Sequence, residues 1–208
     1  MMKVANIFLL IFTVFILACY VDVYGPEKSS STSSTYSSSN ALSISSSSQE
    51  IALQEPLLYQ EQSYRTIKMG STVWLAENFN ATPKSGKWWC NGNLPERCKL
   101  YGKLYDWEAA MSVCPDKWKL PSKEDFDNLA DFDKDILISK AWWNATLAGF
   151  KYEDDGDFST IELGTEGYWW SSTDSGNLAH YGYIIDGSKL KYSYITKERA
   201  FSVRCVKK

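Results

Sequence analysis

Three pairs of adjacent tryptophans, Trp88-Trp89, Trp142-Trp143 and Trp169-Trp170, are the residues best suited to contact chemistry. A flat indole face stacks on the apolar side of a pyranose ring. If such a pair lies in a strand, its members point to opposite faces and one is presented outward; packing in a core is the competing role for each ring. The acidic run Glu153-Asp154-Asp155-Gly156-Asp157 supplies hard oxygen atoms, which makes Asp154, Asp155 and Asp157 weak calcium candidates. The run does not match the EF-hand loop, and a solvated turn is the plainer reading. No other metal site is expected from a chain with one histidine, His180. Catalytic patterns are missing: there is no GxSxG, no HExxH and no phosphate-cradling glycine loop. Ser171 or Ser172 with His180 is a coincidence of composition, so neither catalytic residues nor a cofactor are expected, and the chain reads as a non-enzyme.

Composition narrows the partners. The chain has 208 residues, a length that fits one domain plus appendages. Its net charge of -3 lacks the broad basic field that phosphate backbones require, so nucleic acid is excluded as a partner. Nine Trp and thirteen Tyr make flat apolar rings plentiful, whereas His-based proton or metal chemistry is poorly supplied.

The N-terminus reads as an export signal. Met1 to Lys3 is a short basic start, and Val4 to Leu17 is apolar except for Asn6 and Thr13. That run is shorter than the roughly 20 residues a spanning helix needs. Ile16-Leu17-Ala18-Cys19 looks like a bacterial lipobox, which assigns residues 1–18 to a lipoprotein signal peptide and Cys19 to lipid attachment; the competing reading is a secretory signal that ends near a cysteine. Two or more acyl chains hold a protein on a membrane where one does not. Residues 19–50 then form a tether in which thirteen of the twenty positions from Ser29 to Ser48 are Ser. Such a composition buries too little apolar area to offset the entropy of ordering it, and about 30 flexible residues reach on the order of 30 Å. An O-glycosylated stalk is the functional alternative for this segment.

Residues 51–208 have the composition of a globular domain. Tyr64 to Met69 and Thr72 to Leu75, around Gly70-Ser71, predict an opening hairpin. Trp88 to Cys98 reads as a loop clipped between two cysteines. Leu104, Trp107, Met111 and Cys114 recur at helical spacing before Pro115, predicting a short helix over Tyr105 to Val113 with that stripe buried. Pro121-Ser122 opens a second helix, with Ser122 and Asp125 at capping-box spacing and Phe126 and Leu129 on one face. Asp131 to Asp135 reads as a solvated charged run. Strands follow at Tyr168 to Thr173, His180 to Ile185, Leu190 to Ile195 and Ala200 to Val206, with an Asp186-Gly187 turn. The expected fold is α+β: two short helices in the middle and an antiparallel sheet joining N- and C-terminal strands.

With Cys19 assigned to lipid, four cysteines remain, and in an exported chain they imply disulfides with three possible pairings. Cys90-Cys98 with Cys114-Cys205 is the favoured set. A structural metal site is the competitor, but no CxxC pair is present.

Six motifs taken together resemble a known family. They are Trp74-Leu75-Ala76-Glu77-Asn78, Tyr101 to Ala110 (YGKLYDWEAA), Val113-Cys114-Pro115, Trp118-Lys119-Leu120-Pro121-Ser122, Gly167 to Thr173 (GYWWSST) and Phe201 to Val206 (FSVRCV). In this order they resemble the Fibrobacter succinogenes major paralogous domain, from about Tyr64 to the C-terminus. Lys119 stands where the family often has His, and the acidic run is richer in Asp than usual. The resemblance implies an exported protein of fibre-degrading or related bacteria and a C-type-lectin-like fold shared with formylglycine-generating enzymes. In that fold a disulfide commonly joins the end of the first helix to the last strand, in agreement with Cys114-Cys205. The Glu-Pro-Asn and Trp-Asn-Asp signatures of calcium-dependent lectins are missing. The expectation is a lipid-anchored module of the outer membrane or cell surface that adheres to extracellular or plant cell-wall polysaccharide through its Trp pairs. The alternative is a structural or protein-interaction module of the envelope, and a formylglycine-generating-type enzyme is the third reading.

Overall fold

The computed structural model describes residues 43–44, 49–152, 160–185 and 188–208. The signal segment 1–18, Cys19, most of the Ser-rich tether, the acidic run with Asp154, Asp155 and Asp157, and the Asp186-Gly187 turn lie outside the described residues. Strands β1 (Ser43–Ile44), β2 (Ile51–Tyr59), β3 (Gln62–Met69) and β4 (Thr72–Leu75) run antiparallel in sequence order. The β3–β4 hairpin turns at Gly70-Ser71, as its β-rich flanks predict. Ser43 and Ile44, inside the expected tether, pair with Ala52 and Ile51.

The middle of the chain holds four helices where two were expected. β5 (Trp88–Trp89) leads into a single 3-10 turn at Asn91–Asn93 and then α1 (Pro95–Tyr101), inside what reads from sequence as a loop. Pro95 suits the first helical turn, where its missing N–H costs nothing. β6 (Leu104–Tyr105) pairs with β5, and α2 (Trp107–Val113) follows. The helix therefore begins two residues later than its periodicity predicts, because Leu104 and Tyr105 are taken by the strand pair. Asp106 then caps it, accepting from the Ala109 N–H at 2.8 Å. Of the expected stripe, Leu104 is buried and Trp107 and Cys114 are half-buried against the core, but Met111 is 47% exposed, and Ala109, Ala110 and Val113 face the core.

After β7 (Trp118–Lys119), α3 (Lys123–Ala130) starts on the Ser122–Asp125 capping box that the spacing predicts, with Phe126 and Leu129 buried. The Asp131–Asp135 run is more than a solvated surface. Phe132 within it is buried, and Asp133 caps α4 (Lys134–Ile138).

β8 (Phe150–Lys151) and β9 (Thr160–Ile161) pair with each other. β10 (Glu166–Ser175), β11 (Leu178–Ile185) and β12 (Lys191–Thr196) form a three-stranded antiparallel sheet. Of the expected last strand, Ala200, Phe201 and Ser202 make isolated bridges, and β13 (Val206–Lys207) joins the first sheet. Val206 pairs with Trp74 on one side and Lys119 on the other, so the order is β1-β2-β3-β4-β13-β7. The fold is α+β with antiparallel sheets, and its C-terminal strand closes the N-terminal sheet. Disulfides Cys114–Cys205 and Cys90–Cys98 are both present, with Cα separations of 5.8 and 4.8 Å.

Two aromatic clusters fill the interior. One gathers Trp74, Phe126, Trp143, Trp169 and Ile184; the other gathers Tyr64, Phe79, Tyr105, Trp170, Phe201 and Cys205. Each fully buried Trp removes enough apolar area to contribute roughly 4–6 kcal/mol before chain entropy is subtracted.

Candidate functional site

The structure divides the six tryptophans expected at a ligand face. Trp142, Trp143, Trp169 and Trp170 are buried, which corrects the expectation for these four. Trp169 and Trp170 do point to opposite faces of β10, but both faces are covered there. Trp169 meets Trp143 edge-on at 5.0 Å, and Trp170 meets Phe201 at 4.4 Å. Their indole N–H groups are engaged as well, donating to Asn78 Oδ1 at 2.8 Å and to the Tyr105 carbonyl at 2.7 Å.

Trp88 and Trp89 reach the surface. Trp88 is 39% exposed, and the buried Lys103 places its Nζ 3.9 Å from the ring centroid, so the opposite ring face is the outward one. Burial lowers the Lys103 pKa, and its ammonium also donates to Thr82 Oγ1 at 3.0 Å. Trp89 is half-buried against Leu104, Ala148 and Ala200, with Lys151 Nζ 4.6 Å from its ring.

A larger surface of half-buried rings lies on strands β8, β10 and β11; the sequence expectation on β10 fell on Trp169 and Trp170 and not on these rings. Tyr168 is directly opposite Tyr183 in the β10–β11 ladder, and Tyr181 shares their face at a spacing of two residues. Tyr168 and Tyr183 stack at 6.0 Å, and Tyr181 lies 6.0 and 5.7 Å from them. Phe150 extends the row, 5.0 Å from Tyr168 and 5.0 Å from Tyr152, and the buried Phe201 is its floor. Arg199 closes the end, its guanidinium carbon 3.4 Å from the centre of the Tyr152 ring. The Tyr168 hydroxyl donates to the Glu166 carboxylate. Burial raises the pKa values of Tyr168 and Tyr181, in Tyr168 with help from Glu166, so both phenols are neutral at neutral pH. The result is a row of mutually tilted aromatic rings with hydroxyls along it, the Glu166 carboxylate on the Tyr168 hydroxyl and the Arg199 guanidinium at its end. The period-two spacing of Tyr181 and Tyr183 was the available signal.

His180 lies elsewhere. It is fully buried among Phe126, Tyr192 and Tyr194, and neither of its nitrogens has a partner among the described residues, so no bond joins it to Ser171 or Ser172. Among the described residues no three His, Cys, Asp or Glu side chains converge on a metal-sized space.

The sequence motifs meet at Asn78. Its Nδ2 shares its two N–H groups among three acceptors, the Tyr101 and Thr146 carbonyls at 3.0 and 3.1 Å and Ser202 Oγ at 3.1 Å. Its Oδ1 accepts from Trp169 Nε1 and, at 3.0 Å, from Arg204 Nε. Arg204 is buried, donates to the Trp143 and Asn144 carbonyls, and lies 4.0 Å over the Trp143 ring. Five of the six motifs thus touch one hub or are disulfide-linked to a residue beside it. Residues 67–138 match the Fibrobacter succinogenes major domain. In this chain the matched span of the Fibrobacter succinogenes major domain supplies Asn78 and Tyr101, while Trp169, Ser202 and Arg204 complete the hub from beyond it. No curated protein and no solved structure matches the chain.

Proposed function

We propose that the chain is a lipid-anchored, non-catalytic surface module of C-type-lectin-like architecture that adheres to polysaccharide. The observation that carries this reading is the aromatic row formed by Phe150, Tyr152, Tyr168, Tyr181 and Tyr183. Flat rings offer the apolar faces of successive sugar units a stacking surface, and phenolic hydroxyls and Arg199 offer hydrogen bonds to their edges. Trp88 and Trp89 add two more surface rings on β5. Calcium plays no part in this mode of binding. The export signal, lipidation at Cys19 and the Ser-rich tether place the domain at the outer membrane or cell surface, away from the lipid. A formylglycine-generating-type reaction needs free thiols, whereas Cys90, Cys98, Cys114 and Cys205 are all joined in disulfides.

The second reading, an envelope module that binds protein, is favoured by one feature. Among the described residues strand β12 pairs on one side only, with β11, and it exposes Tyr192 and Tyr194 at 42% and 44%. An open edge of this kind accepts a strand from a partner.

Native gels cast with soluble cellulose derivatives, xylan, pectin or mannan test the leading reading. Retardation of the full chain by at least one polysaccharide is expected; unchanged mobility in all of them, with capture of a defined envelope protein, establishes the second reading instead. Mass spectrometry of the mature N-terminus tests the anchor: a lipid-modified Cys19 is expected, and an unmodified one overturns it.

A further inference from the structure

A separate concavity of about 320 Å³ opens beside the Asn78 hub, lined by Gln62, Glu77, Asn80, Lys99, Asn144 and Thr146 among others. That volume is at the small end of ligand pockets, which run from about 300 to 1,000 Å³. Its walls are fixed before any ligand arrives. The Cys90–Cys98 disulfide ties down α1, and the polar contacts of Asn78 with Tyr101, Thr146, Ser202, Trp169 and Arg204 hold the floor. Gly102, at φ 78°, lies so close to Asn78 that an added Cβ would come within 2.7 Å of the Asn78 Cβ. No side chain grows into the cleft from that position.

The lining has hydrogen-bonding capacity to spare. Asn80 Oδ1 is buried and has no partner among the described residues, while the amide nitrogen of the same side chain reaches Gln62 at 3.3 Å. An orphaned buried acceptor costs about 1–3 kcal/mol unless a donor is brought to it. Asn144, held at φ 55°, spends its backbone carbonyl on Arg204 and Thr146, and its carboxamide makes no hydrogen bond among the described residues. The Thr146 hydroxyl donates to that carbonyl and remains an acceptor. Glu77, paired with Arg65 at 3.1 Å, and Lys99 carry opposite charges in the same lining, so an ion of either sign meets a like charge. A hydroxyl both donates and accepts without charge, and it answers every one of these groups.

We propose that this cleft binds one neutral polyhydroxylated ring, a single sugar unit. One hydroxyl donates to Asn80 Oδ1, and others accept from the Asn144 carboxamide and donate to the Thr146 hydroxyl. The site is distinct from the aromatic row and does not depend on it.

Isothermal titration of the detergent-solubilised full chain with methyl glycosides of glucose, galactose, mannose and xylose tests this. Methyl galacturonate anion and glucosamine cation serve as charged counterparts. The expected result is saturable one-site binding of a neutral glycoside. Asn80→Ala and Asn144→Ala should each weaken it about tenfold or more, and Tyr183→Ala, in the aromatic row, should leave it within about twofold. If Asn80→Ala does not fold, Asn144→Ala alone decides. The proposal is overturned if no neutral glycoside binds, if a charged glycoside binds better, or if binding is lost in Tyr183→Ala and kept in the cleft variants.

Discussion

Arg204 is a cation held in the core by carbonyls and indole faces. Burial pushes its guanidinium down to about 9, so it remains charged at neutral pH. Arg204→Met removes the guanidinium donor to the Trp143 carbonyl and one of the two donors to each of Asn78 Oδ1 and the Asn144 carbonyl, and it should cost about 3 kcal/mol or more, a fall in Tm of roughly 10 °C. Arg204→Lys should recover little, because a single ammonium cannot reproduce the planar fork. An unchanged Tm in either variant would refute the hub. His180 behaves in the opposite register. Burial first, then Lys123, lowers its pKa from 6.5 to about 4, with Asp127 opposing. The groups facing it are Lys123 and Asp127 on α3 and Tyr192 and Tyr194 on β12. The unfolded chain therefore takes up this proton first as pH falls. Stability should be full above about pH 6.5 and decline by about 2–3 kcal/mol toward about pH 4, with no further loss from this group below that. Urea midpoints across that range should fall less steeply in His180→Phe; parallel slopes would contradict the assignment. At this scale the sequence names the residues and hides their surroundings. The tryptophan pairs attract attention by adjacency, yet burial is decided by what covers each strand face, which no local spacing records.

Among the elements, those specified locally were legible. The Ser122–Asp125 capping box, the Pro115 stop and the Gly70-Ser71 turn each depend on residues within one turn of one another, and each is where the spacing puts it. The start of α2 was not legible, because it depends on Leu104 and Tyr105 pairing with Trp88 and Trp89 across sixteen residues or so of intervening chain. α1 was concealed behind the turn-forming Asn-Gly-Asn that precedes it. The two disulfides close loops of very different length, with separations of 91 and 8 residues. Chain entropy then predicts that Cys114→Ser with Cys205→Ser costs about 4–5 kcal/mol, and Cys90→Ser with Cys98→Ser about 2.5. Denaturant titration of the two double variants checks the order, and a larger loss from the shorter clip would show that native contacts outweigh loop closure here.

For the molecule as a whole, the α+β class and the return of the C-terminal strand to the N-terminal sheet were readable from motif order. The candidate surface was not, because Tyr168, Tyr181, Tyr183, Phe150 and Tyr152 come from two separate hairpins and become one row only when β8 is laid beside β10. That row, more than the tryptophan pairs, carries the proposal of polysaccharide adhesion. Its direct test is the dissociation constant of the full chain and of Tyr183→Ala for whichever polysaccharide retards the chain, measured by calorimetry at matched folding. Removing the stacked ring should weaken binding about tenfold or more, equivalent to about 1.4 kcal/mol, with the cooperative unfolding transition retained. Equal dissociation constants for the two proteins would show that the aromatic row is not the binding surface.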